Sequence, residues 1–123
     1  MLVPLRLVIR IRCDADVAQC QLGMKFGVLT EEAPDLLVVA KELGLSVIGV
    51  SFHVGSGCMD PPVFHRAIAA ASWLFNIAHE IGYNFSLLDI GGGFPGNTGS
   101  SIAEVCFMHI LTQHQLLNQQ PIV

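Results

Sequence analysis

Apolar residues along this 123-residue chain fall into alternating strand-like and helix-like segments. Leu5–Arg12 is rich in β-branched side chains that alternate toward its end, which predicts a strand. Ser46–Phe52 is apolar on both faces, as a buried parallel strand is, and Phe85–Ile90 is a third apolar run. The pattern therefore predicts three strands, each followed by a longer connection.

Helical spacing of apolar residues follows the first two strands. Thr30 is predicted to cap the first helix, and Gly44 to end it. The predicted apolar stripe of this helix consists of Leu36, Leu37, Ala40 and Leu43. Asp60 is predicted to cap the second helix, which runs from Pro61 to about Ile81 and places Phe64, Trp73 and Phe75 in the core. A weaker helix is expected from about Ser101.

Strands that alternate with helices predict an α/β fold with a parallel sheet. Three consecutive βα units fit an open sheet and a sector of a closed barrel equally well. The composition adds one constraint, because only 13% of the residues are charged and 52% are hydrophobic. Soluble domains carry about 25% charged residues, so this chain resembles a slice of a larger domain.

Charge and cysteine usage exclude several classes of function. The net charge of −4 and the six basic residues argue against a nucleic-acid or anionic-membrane surface. No apolar run reaches the roughly 18 residues that cross a membrane. The four cysteines form no CxxC pair, so we expect reduced thiols, no metal site and a cytoplasmic protein.

Glycines and polar residues gather just past the ends of the second and third predicted strands. The second strand runs into His53-Val-Gly-Ser56-Gly, and the third into Asp89-Ile-Gly91-Gly92-Gly93. The carboxyl edge of a parallel sheet is where ligands bind. Glycine backbone N–H groups can approach an anion closely, and a hydroxyl such as that of Ser56 adds a donor. The two loops together predict a phosphate cradle.

Other interpretations of these loops are open on the residues alone. A glycine triplet after a strand is commonly only a tight turn, and His53 alone fits a structural histidine. Gly91, Gly93 and Gly96 also match the G-x-G-x-x-G spacing of a dinucleotide site. Pro95 inside the turn, and the lack of an acidic residue about 20 positions further at a strand end, weaken that match.

Four motifs together resemble the eukaryotic ornithine decarboxylases. They are Leu7–Arg12, Lys25–Gly27, His53–Cys58 and Leu87–Gly96, and the resemblance covers about residues 7 to 105. It implies a sector of the (β/α)8 TIM-type barrel that binds pyridoxal 5′-phosphate, with residues 1–105 as a partial cofactor-binding domain. Residues 106–123 depart from the family pattern and are expected to form a divergent C-terminal tail.

The resemblance also implies roles for individual residues. His53 would stack on the cofactor ring as a catalytic and cofactor-binding residue. Ser56 and the backbone of Gly91, Gly92 and Gly93 would hold the phosphate. Arg10 would lie at the barrel mouth near the cofactor, and Lys25 would contact the partner subunit of a homodimer.

The resemblance implies that the parent enzyme converts ornithine to putrescine, a step of polyamine biosynthesis. The Schiff-base lysine of the family is expected upstream of residue 1, and the carboxylate beside the pyridine nitrogen downstream. These 123 residues are therefore expected to be inactive alone. Two alternatives stay open: a non-catalytic homologue that, like the antizyme inhibitors, acts through a protein partner, and a dinucleotide-binding module. Antizyme is a possible partner of the full-length protein.

Overall fold

The computed structural model describes residues 3–13, 26–55 and 61–93. Its strands are β1 (Arg6–Arg10), β2 (Ser46–Ser51) and β3 (Leu87–Asp89). Its helices are a 3-10 turn at Thr30–Glu32, α1 (Ala33–Glu42) and α2 (Pro61–Ile81). The predicted cap at Asp60 and the predicted helix from Ser101 lie outside the described residues.

The three strands form one parallel sheet in the order β1-β2-β3, so the predicted alternation of strands and helices is confirmed. Each regular strand is shorter than its predicted run, but backbone hydrogen bonds continue past the ends. The Ile11 N–H donates to the Ser51 carbonyl (2.9 Å), and the Phe52 N–H donates to the Asp89 carbonyl (3.0 Å). The segments that follow β2 and β3 therefore stay side by side beyond the sheet.

An extra residue in β2 interrupts its pairing with β1. Leu7 pairs with Val47 and Val8 pairs with Gly49, which leaves Ile48 without a counterpart in β1. Such a bulge shifts the alternation of side chains in the strand that carries it. The buried apolar side chains are accordingly Val47 before the bulge, and Val50, Phe52 and Val54 after it.

Beyond the bulge the three strands align in rows that face opposite sides of the sheet. Ile9, Val50 and Leu88 form one row, and all three are buried in the core. The next row consists of Arg10, Ser51 and Asp89. Because successive residues of a strand point to opposite faces, this polar row lies on the face away from the core.

Both helices cover the face that carries the apolar row. They pack on β2 and against each other. The buried side chains of α2 recur at helical spacing, namely Val63, Phe64, Ala67, Ile68, Ala71, Leu74 and Ala78. Within the described ranges, no helix combines the length and apolarity that crossing a membrane requires.

The start and the apolar stripe of α1 differ from the prediction. Thr30 does not cap the helix: the first turn is a 3-10 turn preceded by Leu29, and no side chain caps it. The Ala33 and Glu32 N–H groups donate to the Leu29 carbonyl instead. The buried stripe is Ala33, Leu37 and Ala40, whereas Leu36 and Leu43 are 49% and 69% exposed.

The predicted end of α2 is confirmed, but one of its three aromatic residues is not in the core. The helix ends at Ile81, and the Gly82 N–H donates to the Ala78 carbonyl (3.1 Å). Phe64 is fully buried, and Phe75 packs edge-on against Phe85 with ring centroids 5.4 Å apart. Trp73 is 44% exposed, because it lies beside the buried stripe rather than in it.

Polar contacts join the ends of the two helices, on the side of the sheet opposite to the glycine loops. Lys41 Nζ donates to the Gly82 carbonyl (2.8 Å) and lies 4.7 Å from the centroid of the Tyr83 ring. The Tyr83 hydroxyl donates to the Leu45 carbonyl (3.0 Å), just after α1. Burial raises the pKa of the Tyr83 phenol above its ordinary value.

We expect Tyr83→Phe to lower the free energy of unfolding by about 1 kcal/mol at pH 7, since one buried hydrogen bond is lost. Because the folded state has the higher phenol pKa, the unfolded chain ionises first as pH rises. The wild-type advantage is therefore complete below about pH 10 and shrinks as pH rises through the folded-state value. Urea titrations of both proteins from pH 7 to 11 measure it. A gap that stays constant to pH 11 contradicts the assignment.

An apolar groove of about 200 Å³ lies between β1 and α1. Its lining is entirely apolar: Leu7, Val8, Ile9, Leu36, Leu37, Ala40, Leu45 and Val47. Several of these side chains are substantially exposed, including Leu36 (49%) and Leu45 (42%). β1 is also an edge strand in the described sheet. Apolar patches and strand edges of this kind promote association.

We predict that the isolated chain associates with itself and binds a dye that reports exposed apolar surface. Leu36→Gln should weaken association, because it places an amide in the groove. Val38→Gln is the matched control, since Val38 is 42% exposed on the same helix but does not line the groove. Size-exclusion chromatography at several concentrations is the measurement. A monomeric wild-type chain that binds no dye would contradict the prediction.

Candidate functional site

The candidate site is formed where the segment after β3 lies against the segment after β2. The Phe52–Gly55 backbone continues β2, and Gly91–Gly93 follows β3. Each glycine of the triplet contacts a successive part of the Phe52–Gly55 segment. The parallel pairing of β2 with β3 therefore brings the two predicted loops together, as the sequence indicated.

At Gly91 and Gly93 the contact is too close for a side chain. A Cβ atom at Gly91 would overlap the Phe52 carbonyl oxygen, and one at Gly93 would overlap the Gly55 carbonyl oxygen. Gly91 and Gly93 also have positive φ angles of 64° and 92°, a conformation that L side chains rarely adopt. Both the space and the backbone conformation thus require glycine here.

The His53 ring is held between the two segments. The Gly55 N–H donates to His53 Nδ1 (3.0 Å). On the other side of the ring, a Cβ atom at Gly92 would lie 2.8 Å from Nε2. Because Nδ1 accepts a hydrogen bond, the neutral ring carries its proton on Nε2. The side chain is half-buried, so the ring is fixed in orientation but still reaches the site surface.

The glycine turn presents backbone donors. The Gly91 N–H donates to Asp89 Oδ1 (2.8 Å), whereas those of Gly92 and Gly93 find no acceptor among the described residues. Successive N–H groups of this kind form a concave binding site for an anion. A small oxyanion such as a phosphate group fits the chemistry of this cradle.

Of the other predicted site residues, the structure describes only Arg10. Arg10 belongs to the polar row, together with Ser51 and Asp89. Its guanidinium carbon lies 5.1 Å from the centroid of the Phe26 ring. Phe26 is the central residue of the Lys25–Gly27 motif, so this contact places the Arg10 charge against a side chain of that motif. Ser56 and Lys25 lie outside the described residues.

Asp89 belongs to the site but received no role from the sequence. Its carboxylate is half-buried and accepts the Gly91 N–H, and its backbone carbonyl accepts the Phe52 N–H. A short acidic side chain two residues before a glycine is a common signal for such a turn, in which the carboxylate binds the backbone two positions on. That signal could have identified the residue.

Comparison with known proteins identifies the family to which the chain belongs. The family described as "Pyridoxal-dependent decarboxylase, pyridoxal binding domain" matches residues 4–115. The chain belongs to this family. The match spans the glycine triplet and the His53 segment, so it favours the decarboxylase interpretation over the dinucleotide-binding one.

The relatives of this chain within the family include enzymes and a protein named as an inhibitor of antizyme. Ornithine decarboxylase of Mus musculus is 50% identical over 97 residues, which are 79% of this chain and 21% of that protein. Antizyme inhibitor 2 of Xenopus laevis is 48% identical over 97 residues, with the same two shares. The chain thus spans about a fifth of the length of the curated relatives it matches.

A solved structure gives the corresponding fold. Arginine decarboxylase of Paramecium bursaria Chlorella virus superposes with a TM-score of 0.84 at 39% identity, covering 91% of this chain and 31% of that one. The predicted sector of a TIM-type barrel, a parallel sheet of three strands that alternate with helices, is therefore confirmed. Within the described ranges no group of three or more histidine, cysteine or acidic side chains is arranged to hold a metal ion.

We predict that Gly91→Ala destabilises the chain much more than Gly44→Ala. Gly44 has a similar φ of 71° but nothing within 4 Å of the added Cβ atom, so its variant incurs only backbone strain of about 1 kcal/mol. Gly91→Ala adds the overlap with the Phe52 carbonyl and should cost about 3 kcal/mol or more. Urea unfolding of the two variants measures the difference. Equal losses would contradict the close backbone contact.

Proposed function

We propose that this chain holds the phosphate and one ring face of pyridoxal 5′-phosphate in a decarboxylase of basic amino acids. The observation that carries the proposal is the backbone cradle of Gly91–Gly93 packed against the His53–Gly55 segment. When bound, the cofactor supplies an electron sink for the charge that decarboxylation leaves on the substrate. This chain's own residues bind and orient that group.

The backbone donors are suited to the phosphate end of the cofactor. The Gly92 and Gly93 N–H groups follow one another in the chain and donate to no acceptor among the described residues, and successive N–H groups of this kind can bind an oxyanion. Ser56 follows Gly55 directly in the chain and adds a hydroxyl donor in the proposed cradle. Arg10 supplies positive charge on the face of the sheet that also carries Ser51 and Asp89. We therefore assign phosphate binding to Ser56 and to the Gly92 and Gly93 N–H groups, while Gly91, whose N–H is bound by Asp89, shapes the turn.

His53 is suited to contact the cofactor ring. Its own ring is planar, half-buried and held by the Gly55 N–H, so it can stack on one face of a bound aromatic ring and exclude water from that face. Stacking of this kind needs a ring with a fixed orientation, which the hydrogen bond from the Gly55 N–H to Nδ1 favours. We assign His53 as the catalytic contact of this chain.

The substrate and the assembly belong to the longer protein. We propose ornithine as the substrate because ornithine decarboxylases are among the relatives with highest identity. The similar viral structure is an arginine decarboxylase, so the residues shared here do not select between basic amino acids. A homodimer with Lys25 facing the partner subunit, and inactivity of these 123 residues alone, stay predictions. So does a cytoplasmic location.

A second candidate function is that of a non-catalytic homologue that acts through a protein partner. It is favoured by one comparison, the 48% identity to an antizyme inhibitor over 97 residues. In that case antizyme would be the partner of the longer protein. Retention of His53 favours the cofactor-binding function, because a protein that binds no cofactor does not require a ring held at this position, whereas packing alone requires Gly91 and Gly93.

We expect the chain to bind pyridoxine 5′-phosphate at least about tenfold more tightly than pyridoxine, since charge-assisted hydrogen bonds to phosphate are strong. These ligands lack the cofactor's aldehyde and cannot react with Lys25 or Lys41. Equilibrium dialysis gives both dissociation constants. Ser56→Ala should weaken only the phosphorylated ligand, whereas the matched control Ser86→Ala, at an exposed residue before β3, should change neither. Equal affinity for the two ligands would refute the phosphate cradle.

A further inference from the structure

Asp89 ties the glycine turn to the end of the sheet. It is the last residue of β3, and its backbone carbonyl accepts the Phe52 N–H (3.0 Å). Its side-chain oxygen Oδ1 accepts the N–H of Gly91, two residues further along the chain (2.8 Å). One residue thus fixes both the alignment of β3 with the segment after β2 and the conformation at the start of the turn.

The glycine turn in turn restricts the His53 ring. Gly91 lies against the His53 backbone, where an added Cβ atom would lie 3.0 Å from His53 Cβ. Gly92 lies beside Nε2. The Gly55 N–H, which belongs to the same segment as His53, donates to Nδ1. Loss of the Asp89 hydrogen bond would free the Gly91 N–H and let the turn move away from the ring.

A carboxylate next to a phosphate site needs a physical reason, because its charge repels the ligand. Asp89 lies only two residues before Gly91, in the row that also contains Ser51 and Arg10. Its charge favours the Gly91 hydrogen bond, since an ionised acceptor forms the stronger bond. The benefit of the bond and the cost of the charge oppose each other in ligand binding.

We propose that Asp89 is a positioning residue, whose carboxylate holds the glycine turn so that the phosphate-binding N–H groups and the His53 ring are both in place. This inference deepens the proposed function and rests on it for the phosphate ligand. The position of the His53 ring, however, can be measured with no ligand present.

Ligand affinity distinguishes two roles of the Asp89 carboxylate. Loss of a positioning contact should weaken binding, whereas loss of a repelling charge should strengthen it. Asp89→Ala removes the acceptor and the charge, and should weaken binding of pyridoxine 5′-phosphate about tenfold, the scale of one hydrogen bond to a charged group. Asp89→Asn keeps an acceptor oxygen and should bind within about twofold of wild type or more tightly. If both variants bind more tightly, Asp89 acts only as a repelling charge and the proposal is wrong.

Two further variants guard against a simple loss of folding. Asp89→Glu keeps the charge but moves the carboxylate by one methylene, so it should weaken binding as Asp89→Ala does. Asp35→Ala is the control, since Asp35 is an exposed carboxylate on α1. It should leave binding unchanged. Wild-type affinity in Asp89→Glu would overturn the geometric role.

The second readout is the ring of His53 in the 123-residue chain without ligand. Nitrogen NMR at about pH 9, where an imidazole is neutral, should show Nδ1 as an acceptor and the proton on Nε2 in wild type and Asp89→Asn. Asp89→Ala and Asp89→Glu should show the exchange-averaged signals of a mobile ring. The same ring signals in wild type and all variants would overturn the inference.

The two readouts also separate this inference from the proposed function. If no variant binds pyridoxine 5′-phosphate but the ring signals follow Asp89, the phosphate proposal fails and the positioning role stands. If wild type binds the ligand and Asp89→Ala changes neither its affinity nor the ring, the positioning role fails alone.

Discussion

Gly91 and Gly93 lie so close to the backbone after β2 that neither can carry a side chain, and Gly92 lies against the His53 ring. The parallel pairing of β2 with β3 makes this contact possible, because it brings the carboxyl ends of both strands to one edge. Among the described residues, the site combines backbone N–H groups with the His53 imidazole and the Asp89 carboxylate. A larger residue at Gly91 or Gly93 would separate the two segments, which would disrupt both the cradle and the contact with the His53 ring.

Much of the fold follows from the sequence because the strong signals are local. Gly44 and Gly82 end the two helices at the predicted positions, each with a positive φ angle. The apolar β2 run identified a buried central strand. The meeting of the two glycine loops followed from the topology alone, since strand ends on one edge converge.

The predictions that proved wrong depend on contacts that local patterns do not contain. Leu36 and Leu43 have helical spacing relative to Ala40, but the sheet lies under Leu37 instead. Trp73 is large and apolar, yet size does not decide which side of a helix faces the sheet. Thr30 has a capping side chain, but the chain enters α1 through a 3-10 turn in which Leu29 provides the acceptor.

The two ends of the sheet have different roles: one holds the candidate site and the other joins the two helices. The carboxyl ends of the strands hold the candidate site, with its polar and glycine-rich segments. At the opposite ends, Lys41 and Tyr83 join the two helices through the Gly82 and Leu45 carbonyls. Changes in the helix contacts can therefore alter stability without touching the cradle, whereas changes in the triplet affect both.

The extra residue at Ile48 has a consequence for how this segment can change in evolution. It shifts the alternation of β2, so that Ser51 lies in the row of Arg10 and Asp89 while Val50 faces the core. Deleting Ile48 would leave Val47 opposite Leu7 and Gly49 opposite Val8 in an unbroken alternation, so Val50 would still face the core. A one-residue deletion after Gly49, by contrast, would exchange the faces of the residues that follow it, including Phe52 and His53. Loss of a residue is therefore tolerated at the bulge but not in the rest of this segment.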